Sequence, residues 1–179
     1  TIWLNDAVRG DLTAMATMTD SASDAERATG QTWNAEYDVV VVGSGAAGMT
    51  AALVATDLGL RTAIIESCAL IGGTTAVSGG AVWVPANHHM AELAYPDSIP
   101  EALQYLEQTV GEEFDPALSQ TYLETGTRLI RYLEARSQLA FRAGPLPDYY
   151  SNRPGGKDRY RALDPLPLAA RDLGDDFDL

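Results

Sequence analysis

The sequence predicts an α/β fold built around a strand, glycine turn, helix and strand, and three observations predict it. Tyr37-Asp38-Val39-Val40-Val41-Val42 is a β-branched run whose continuous apolarity suits a strand covered on both faces. Gly43-Ser44-Gly45-Ala46-Ala47-Gly48 follows directly and leads into MTAALVATDLGL, rich in Ala and Leu and free of Pro, which reads as a helix ending near Gly59. Thr62-Ala63-Ile64-Ile65-Glu66 then reads as a second short strand. A unit in this order is expected to be parallel and right-handed.

The flanks follow from the same reading. Residues 1–36 carry six acids and two arginines with no sustained period, and are expected to be an extension, partly disordered or partly docked. Residues 67–87 hold Gly72, Gly73, Gly79 and Gly80 among small hydroxyl residues and then AVWVP, a long excursion rather than a return helix. Ser98-Ile99-Pro100-Glu101 has capping-box spacing with Pro in the first turn, and Gly111 can end that helix. Asp115-Pro116 opens the next helix, with Leu118, Tyr122, Leu129, Ile130 and Leu133 as its apolar face and Gly126 as a weak point. Residues 144–179 contain five prolines and four glycines and end in DLGDDFDL, so an irregular loop with an acidic, solvated tail is expected.

Length and composition limit the classes of function. At 179 residues and 46% hydrophobic the chain can bury a core. A net charge of -13 has the wrong sign for a surface that neutralises phosphates, so a nucleic-acid partner is the least favoured class and none is expected. Apolar stretches fall short of the roughly 18 to 20 residues of a membrane span and no basic n-region with an apolar h-region opens these residues, so neither a membrane span nor export is expected. The single cysteine, Cys68, allows no internal disulfide and fits a cytoplasmic setting. The chain starts at Thr1, as a processed or trimmed end would.

GxGxxG by itself is a weak signal, but here it follows a strand, opens a helix, and is followed by Glu66 eighteen positions after Gly48, near the roughly twenty expected of a dinucleotide site. Gly43 permits the tight turn, Gly45 removes a side chain where a pyrophosphate approaches, and Gly48 lets the helix pack on the strand. The helix N-terminus offers N–H groups and a positive dipole end to the diphosphate. Glu66 can accept from the adenosine ribose hydroxyls, which disfavours a 2'-phosphate and hence NADP. The fingerprint alone suits FAD and NAD equally. The following GGTTAVSGG, with small residues and hydroxyls, suits a flavin that continues past its diphosphate.

YDVVVVGSGAAGMTAAL, IIES and GGTTAVSGGAVWVPAN resemble the flavoprotein superfamily of fumarate reductases and 3-ketosteroid dehydrogenases, closest to the ketosteroid Δ1-dehydrogenase branch. The resemblance continues through DSIPEALQYLEQTVG to PDYYSNRPGG, covering residues 37 to about 167. It implies a Rossmann-type FAD-binding βαβ unit with following helices, the N-terminal part of a larger two-domain flavoprotein. Residues 37–179 would then be an incomplete FAD-binding domain. FAD is implied on Gly43, Ser44, Gly45, Ala46, Ala47 and Gly48, on Glu66 and Ser67, and on Gly73, Thr74, Thr75, Ser78, Gly79 and Gly80. Covalent members carry a His at the place of Gly73, so noncovalent FAD is implied.

The implied reaction is dehydrogenation of a carbon–carbon bond next to a ketone, of a 3-ketosteroid-like substrate, by removal of the α-hydrogen as a proton and transfer of the β-hydrogen as hydride to flavin N5. Related reductases run such chemistry in the reducing direction. Tyr149 matches a family tyrosine that lines the active site and supports a downstream catalytic tyrosine, with Tyr150 as the alternative if the register slips by one. No base is assigned within these residues. A second polypeptide carrying the rest of a flavin site is the alternative to a single-chain enzyme, and an NAD-binding module is a third reading.

The remaining candidates read as structural. Adjacent His88 and His89 are expected to diverge, as surface or cofactor-edge residues with no metal, because a shared ion would need an unusual loop and a carboxylate such as Glu92. Cys68 reads as an inert thiol, Trp83 and Val84 as pocket wall or core, and Ser78 has no His or Asp companion to make it a nucleophile.

Overall fold

A computed structural model describes residues 3–4, 35–169, 171 and 174. The chain divides into two units, Thr1–Gly79 and Gly80–Leu179.

In the first unit three parallel strands form one sheet in the order β1-β3-β2: β1 is Trp3–Leu4, β2 is Val39–Val42 and β3 is Thr62–Ile65. Pairing of β2 with β3 runs from Val39 opposite Thr62 to Val42 opposite Ile65. Helix α1, Ala46–Asp57, packs on this pair through the small buried side chains of Ala52 and Ala55. It stops where expected, with Gly59 at φ +80°. The two strands and helix thus fall where the sequence places them, with one reversal. The run of four valines was expected to be covered on both faces, but β2 is at the edge of the described sheet and Val42 is 80% exposed. The central strand β3 is buried throughout instead. The expectation for residues 1–36 falls mostly outside the described residues, within which Trp3–Leu4 docks as a strand. The excursion 67–87 is also more regular than expected, since Gly73–Ala76 forms a single helical turn, α2.

The second unit is an antiparallel three-stranded sheet with helices. Its strand order is β4-β6-β5, with β4 Val82–Trp83, β5 Phe141–Ala143 and β6 Ala162–Pro165. The expectation of irregular loop over 144–179 is corrected here: Leu163 on β6 is fully buried opposite Val82 and Ala143, so sheet pairing and burial overrule the local proline content. Residues 144–161 do form loop and turns.

Among the described residues this unit also has three α-helices, α3 (His88–Glu92), α4 (Ile99–Val110) and α5 (Pro116–Arg136), and a 3-10 turn, Gly111–Glu113, with α4 and α5 packed together. The predicted caps are present. Ser98 Oγ accepts from the Glu101 N–H, and Asp115 Oδ1 accepts from the Leu118 N–H at 2.9 Å. The apolar face of α5 differs from expectation, because Leu118 is 68% exposed and Leu123 is buried with Ile130 and Leu133. The helix runs unbroken through Gly126, where Val84 packs 3.4 Å from where a Cβ would stand. Val84, Ile130, Phe141 and Leu163 form the core, which places Val84 in the core as one of its two expected roles.

No helix among the described residues is long and apolar enough to cross a membrane.

Candidate functional site

The glycine turn is shaped by two backbone constraints. Gly43 stands at φ +92°, and a Cβ on Gly48 would be 2.0 Å from Gly43 O and 3.3 Å from Val41 Cγ1. Any side chain at Gly48 would push α1 off β2. Gly45 is the N-cap of α1 and gives no side-chain cap, so the first-turn N–H groups have no intrahelical partner, and that of Ala46 is taken by Thr75 Oγ1.

Ser44 ties this turn to the rest of the site. It is 1% exposed; its hydroxyl donates to Glu66 Oε2 at 2.5 Å and accepts from the Gly72 N–H at 2.8 Å, while its own N–H donates to the same carboxylate oxygen at 2.9 Å. Glu66 Oε1 accepts from the Cys68 N–H at 3.0 Å and the Ser67 hydroxyl at 3.3 Å. The Ser44 hydroxyl first, then the Cys68 and Ser44 N–H groups, pull the Glu66 pKa down from 4.5 to about 2. Glu66 is therefore a firmly ionised acceptor at the end of β3.

The GGTT segment meets the same helix start. Thr75 Oγ1 accepts from the Ala46 N–H at 3.2 Å, and a Cβ on Gly73 would lie 3.5 Å from Gly45 Cα. Ser78 Oγ donates to Thr75 O, closing the turn after α2. Among the sequence-predicted residues, Gly43, Ser44, Gly45, Ala46, Glu66, Ser67, Gly73 and Thr75 are thus brought together around the N-terminus of α1. Thr74 is exposed on α2 between Gly73 and Thr75, and Ser78 and Gly79 lie on the exposed segment that follows. Gly80 belongs to the second unit, where Pro165 Cγ is 3.1 Å from the position of an added Cβ. These features suit a dinucleotide: a turn of glycines and small residues, N–H groups at a helix start for a diphosphate, and an ionised carboxylate for ribose hydroxyls.

In the second unit, Tyr149 sits on a turn whose base is rigid. Asp148 Oδ1 accepts from Trp83 Nε1 at 2.7 Å, and Oδ2 accepts from the Lys157 N–H at 2.9 Å and from Arg161 Nη1 at 2.8 Å. The Arg161 side chain is 1% exposed and also donates from Nε and Nη2 to Asp97, at 2.8 and 2.7 Å. Burial works to raise the Asp97 carboxyl, but the hydrogen bonds and charge of Arg161 outweigh it and hold it below the usual value. Gly155, at φ +76°, completes the turn against α4, with Glu101 O only 2.1 Å from where a Cβ would stand. Tyr149 itself is 100% exposed, so it is not a loop filler in this chain. Tyr150 is half-exposed and lies under the Arg153 guanidinium, 4.2 Å from the ring centroid.

Two features were beyond sequence reasoning. Asp97, Asp148 and Arg161 converge across sequence gaps with no periodic signal. His88 and His89 do not diverge: their ring centroids are 4.0 Å apart and both Nε2 atoms are 2.9 Å from oxygens of Glu134. The short helix α3, capped by Asn87, turns both rings toward α5, which corrects the expectation of separate surface residues.

Comparison with known proteins agrees with this geometry. The chain is 42% identical over 143 residues to the 3-oxosteroid 1-dehydrogenase of Mycolicibacterium smegmatis, an alignment covering 79% of this chain and 25% of that protein. It is 37% identical over 141 residues to the 4-oxocyclohexanecarboxylate 2-dehydrogenase of Sinomonas cyclohexanicum, covering 78% and 25%. The 3-ketosteroid Δ1-dehydrogenase of Sterolibacterium denitrificans, solved in complex with 1,4-androstadiene-3,17-dione, superposes with a TM-score of 0.71 at 40% identity, covering 79% of this chain and 25% of that one. The chain thus spans about a quarter of the length of the relatives it matches. The FAD binding domain model matches residues 38–176, which hold the glycine turn, Glu66, the GGTT segment and the Tyr149 turn together, and the cofactor they indicate is FAD: the chain belongs to the FAD binding domain family.

Proposed function

We propose that this chain is an FAD-dependent oxidoreductase that holds noncovalent FAD by its adenosine diphosphate end and desaturates the carbon–carbon bond next to a cyclic ketone, with a 3-ketosteroid as substrate class. The observation that carries the reading is the Ser44 linkage, which makes the glycine turn, the Glu66 carboxylate and the GGTT segment one rigid piece. Its 42% identity to a 3-oxosteroid 1-dehydrogenase supports the chemistry.

Each residue then has a task. The first-turn N–H groups of α1 other than that of Ala46 bind the diphosphate, and Glu66 accepts from the ribose hydroxyls while Ser44 and Cys68 keep it ionised. Thr74, Thr75, Ser78, Gly79 and Gly80 offer backbone and hydroxyl groups to the continuing cofactor. Bound FAD supplies the hydride acceptor for the substrate β-hydrogen. Tyr149 lines the substrate side and hydrogen-bonds, through its phenol, the group that takes the α-proton.

A second reading has a specific observation in its favour. Val42, Leu70 and Val77, near the glycine turn and the GGTT segment in sequence, are about four-fifths exposed, as surfaces covered by further protein would be (80%, 79% and 86%). A second polypeptide would then complete the flavin site.

Intact mass and visible absorbance of the purified protein, with turnover of a 3-ketosteroid by an artificial electron acceptor, test both readings. A yellow sample containing one short polypeptide that turns over the steroid supports the first. Flavin and turnover only with a second chain present support the second. A sample that takes up no flavin in either state overturns both.

A further inference from the structure

We propose that His88, His89 and Glu134 form a binding site for a borderline divalent transition metal, of which Zn²⁺ is the type, distinct from the flavin site. Three potential ligand atoms, one from each residue, lie within 4.8 Å of one another. Each imidazole Nε2 is 2.9 Å from a different oxygen of the same carboxylate. With Zn–N and Zn–O bonds of roughly 2.0 to 2.2 Å, ligand atoms of a tetrahedral site lie somewhat beyond 3 Å apart, so the 2.9 Å pairs would open by a few tenths of an ångström, and ligand atoms standing as far apart as 4.8 Å would close by about 1.5 Å, to admit an ion. Two nitrogens and one carboxylate oxygen suit Zn²⁺, Co²⁺ or Ni²⁺ and not Mg²⁺ or Ca²⁺, which prefer oxygen alone.

The surroundings resemble those of a ligating histidine. His89 Nδ1, on the far side of the ring from Glu134, is 3.3 Å from Glu92 Oε2, one turn along α3. A carboxylate on the second nitrogen fixes the tautomer that presents Nε2 as a lone pair and makes it a stronger ligand. Glu134 is held too, by the Phe141 N–H at 3.0 Å on Oε1. His88 and Glu134 are largely shielded, with side chains 13% and 18% exposed. His88 Nδ1 is buried without a partner, so the neutral ring carries its lone pair there and its proton on Nε2 toward Glu134, and an ion taken at Nε2 would shift that proton to Nδ1. Facing groups are Glu92 and Glu134, which favour a cation, and Arg131, which opposes one.

The three residues come from α3 and α5, and Glu134 reaches on to β5, so an ion would staple three elements of the second unit. Three protein ligands leave a fourth position for water.

The test is titration of the purified full chain with Co²⁺, read by its visible ligand-field bands, followed by displacement with Zn²⁺ and a thermal melt with and without Zn²⁺. The expected result is one Co²⁺ per chain with tetrahedral bands, loss of those bands on Zn²⁺ addition, and a higher Tm with Zn²⁺. Glu134→Gln keeps the size of the side chain and should abolish the bands, and Glu92→Gln should weaken binding by about 10- to 100-fold. Wild-type protein without bands or Tm shift overturns the proposal, as does a band that persists in folded Glu134→Gln protein. Should Glu134→Gln fail to fold, His89→Asn serves the same purpose, and the wild-type titration decides alone if both fail.

Discussion

Ser44 donates its hydroxyl to Glu66 Oε2 at 2.5 Å and at the same time accepts from the Gly72 N–H at 2.8 Å, so one buried atom joins the glycine turn, the end of β3 and the start of the GGTT segment. Replacing it by alanine removes both bonds and leaves the Gly72 N–H without its acceptor. Ser44→Ala should leave β2 and α1 intact, since the Ser44 N–H still reaches Glu66, but loosen the geometry of the flavin cradle. FAD should be held about tenfold more weakly, the order expected of one lost hydrogen bond to a charged group. Fluorescence titration of the apoprotein with FAD measures it, and unchanged affinity removes Ser44 from the cradle.

Glu66 gives a pH prediction whose sign follows from its depressed pKa. The carboxylate is favoured in the folded state, so its contribution is complete above the unfolded value of 4.5 and is lost as pH falls toward about 2. FAD retention and Tm should therefore show no transition from Glu66 between neutral pH and pH 5, and a loss that grows below it. Glu66→Ala should weaken FAD retention at neutral pH as well. Release of flavin with a midpoint near neutrality in the wild type, absent in Glu66→Ala, would contradict the assignment.

The glycine turn and the elements around it were readable because each of their demands is local. A strand, a GxGxxG turn, a helix and an acid are set by about thirty consecutive residues, and the caps at Ser98 and Asp115 depend on three-residue spacings. Burial was less readable, because it depends on which strand is central. Four valines looked covered, yet β2 is at the described edge while Thr62–Ile65 is enclosed between two neighbours. Similarly, the prolines of the last third hid β6, whose Leu163 is placed by pairing with strands 20 and 80 residues away. His89 and Glu134, 45 residues apart, meet only because α3 packs where α5 ends, and no spacing rule announces it.

Arg161 should be a stability residue of the second unit. Its guanidinium is buried between Asp97 and Asp148, with side chains 1%, 0% and 1% exposed. Arg161→Met removes one positive charge and leaves two carboxylates buried without their shared partner. The expected loss is about 3–5 kcal/mol, the range for breaking a buried pair by removing one member. Chemical denaturation measures it, and a loss below about 1 kcal/mol would mean that water replaces the guanidinium. Asp148 also anchors Trp83 and Lys157, so the turn carrying Tyr149 should lose order in this variant even where the unit remains folded.

Gly155→Ala probes that turn from its other side. The added methyl would meet Glu101 O at 2.1 Å, and the residue would hold φ +76°, which L side chains rarely adopt. Backbone on both sides of the contact cannot rotate away as a side chain can. The turn must move off α4, at a cost expected to exceed about 1 kcal/mol, and hydrogen exchange should rise at the Ser151 and Arg153 amides, which bond within the turn. An unchanged denaturation midpoint would show that the turn does not press on α4.

Tyr149→Phe separates chemistry from folding more cleanly than any other substitution here, because the ring is fully exposed and its loss of a hydroxyl removes no packing. Stability should stay within about 0.5 kcal/mol of wild type, the range of ordinary surface changes. FAD retention should also be unchanged, since the flavin contacts proposed above lie on the glycine turn, Glu66 and the GGTT segment. If the phenol supports the proton-accepting group, turnover of a 3-ketosteroid in the flavin-loaded protein, with its second polypeptide where one is needed, should fall by about 10²-fold or more, the contribution typical of positioned acid–base groups. The loss should appear in kcat more than in KM, because the hydroxyl acts on proton transfer rather than on steroid binding. Tyr150→Phe is the control: its ring is engaged by Arg153, and it should leave kcat close to wild type. Full turnover in Tyr149→Phe together with a loss in Tyr150→Phe would move the role one residue along the turn.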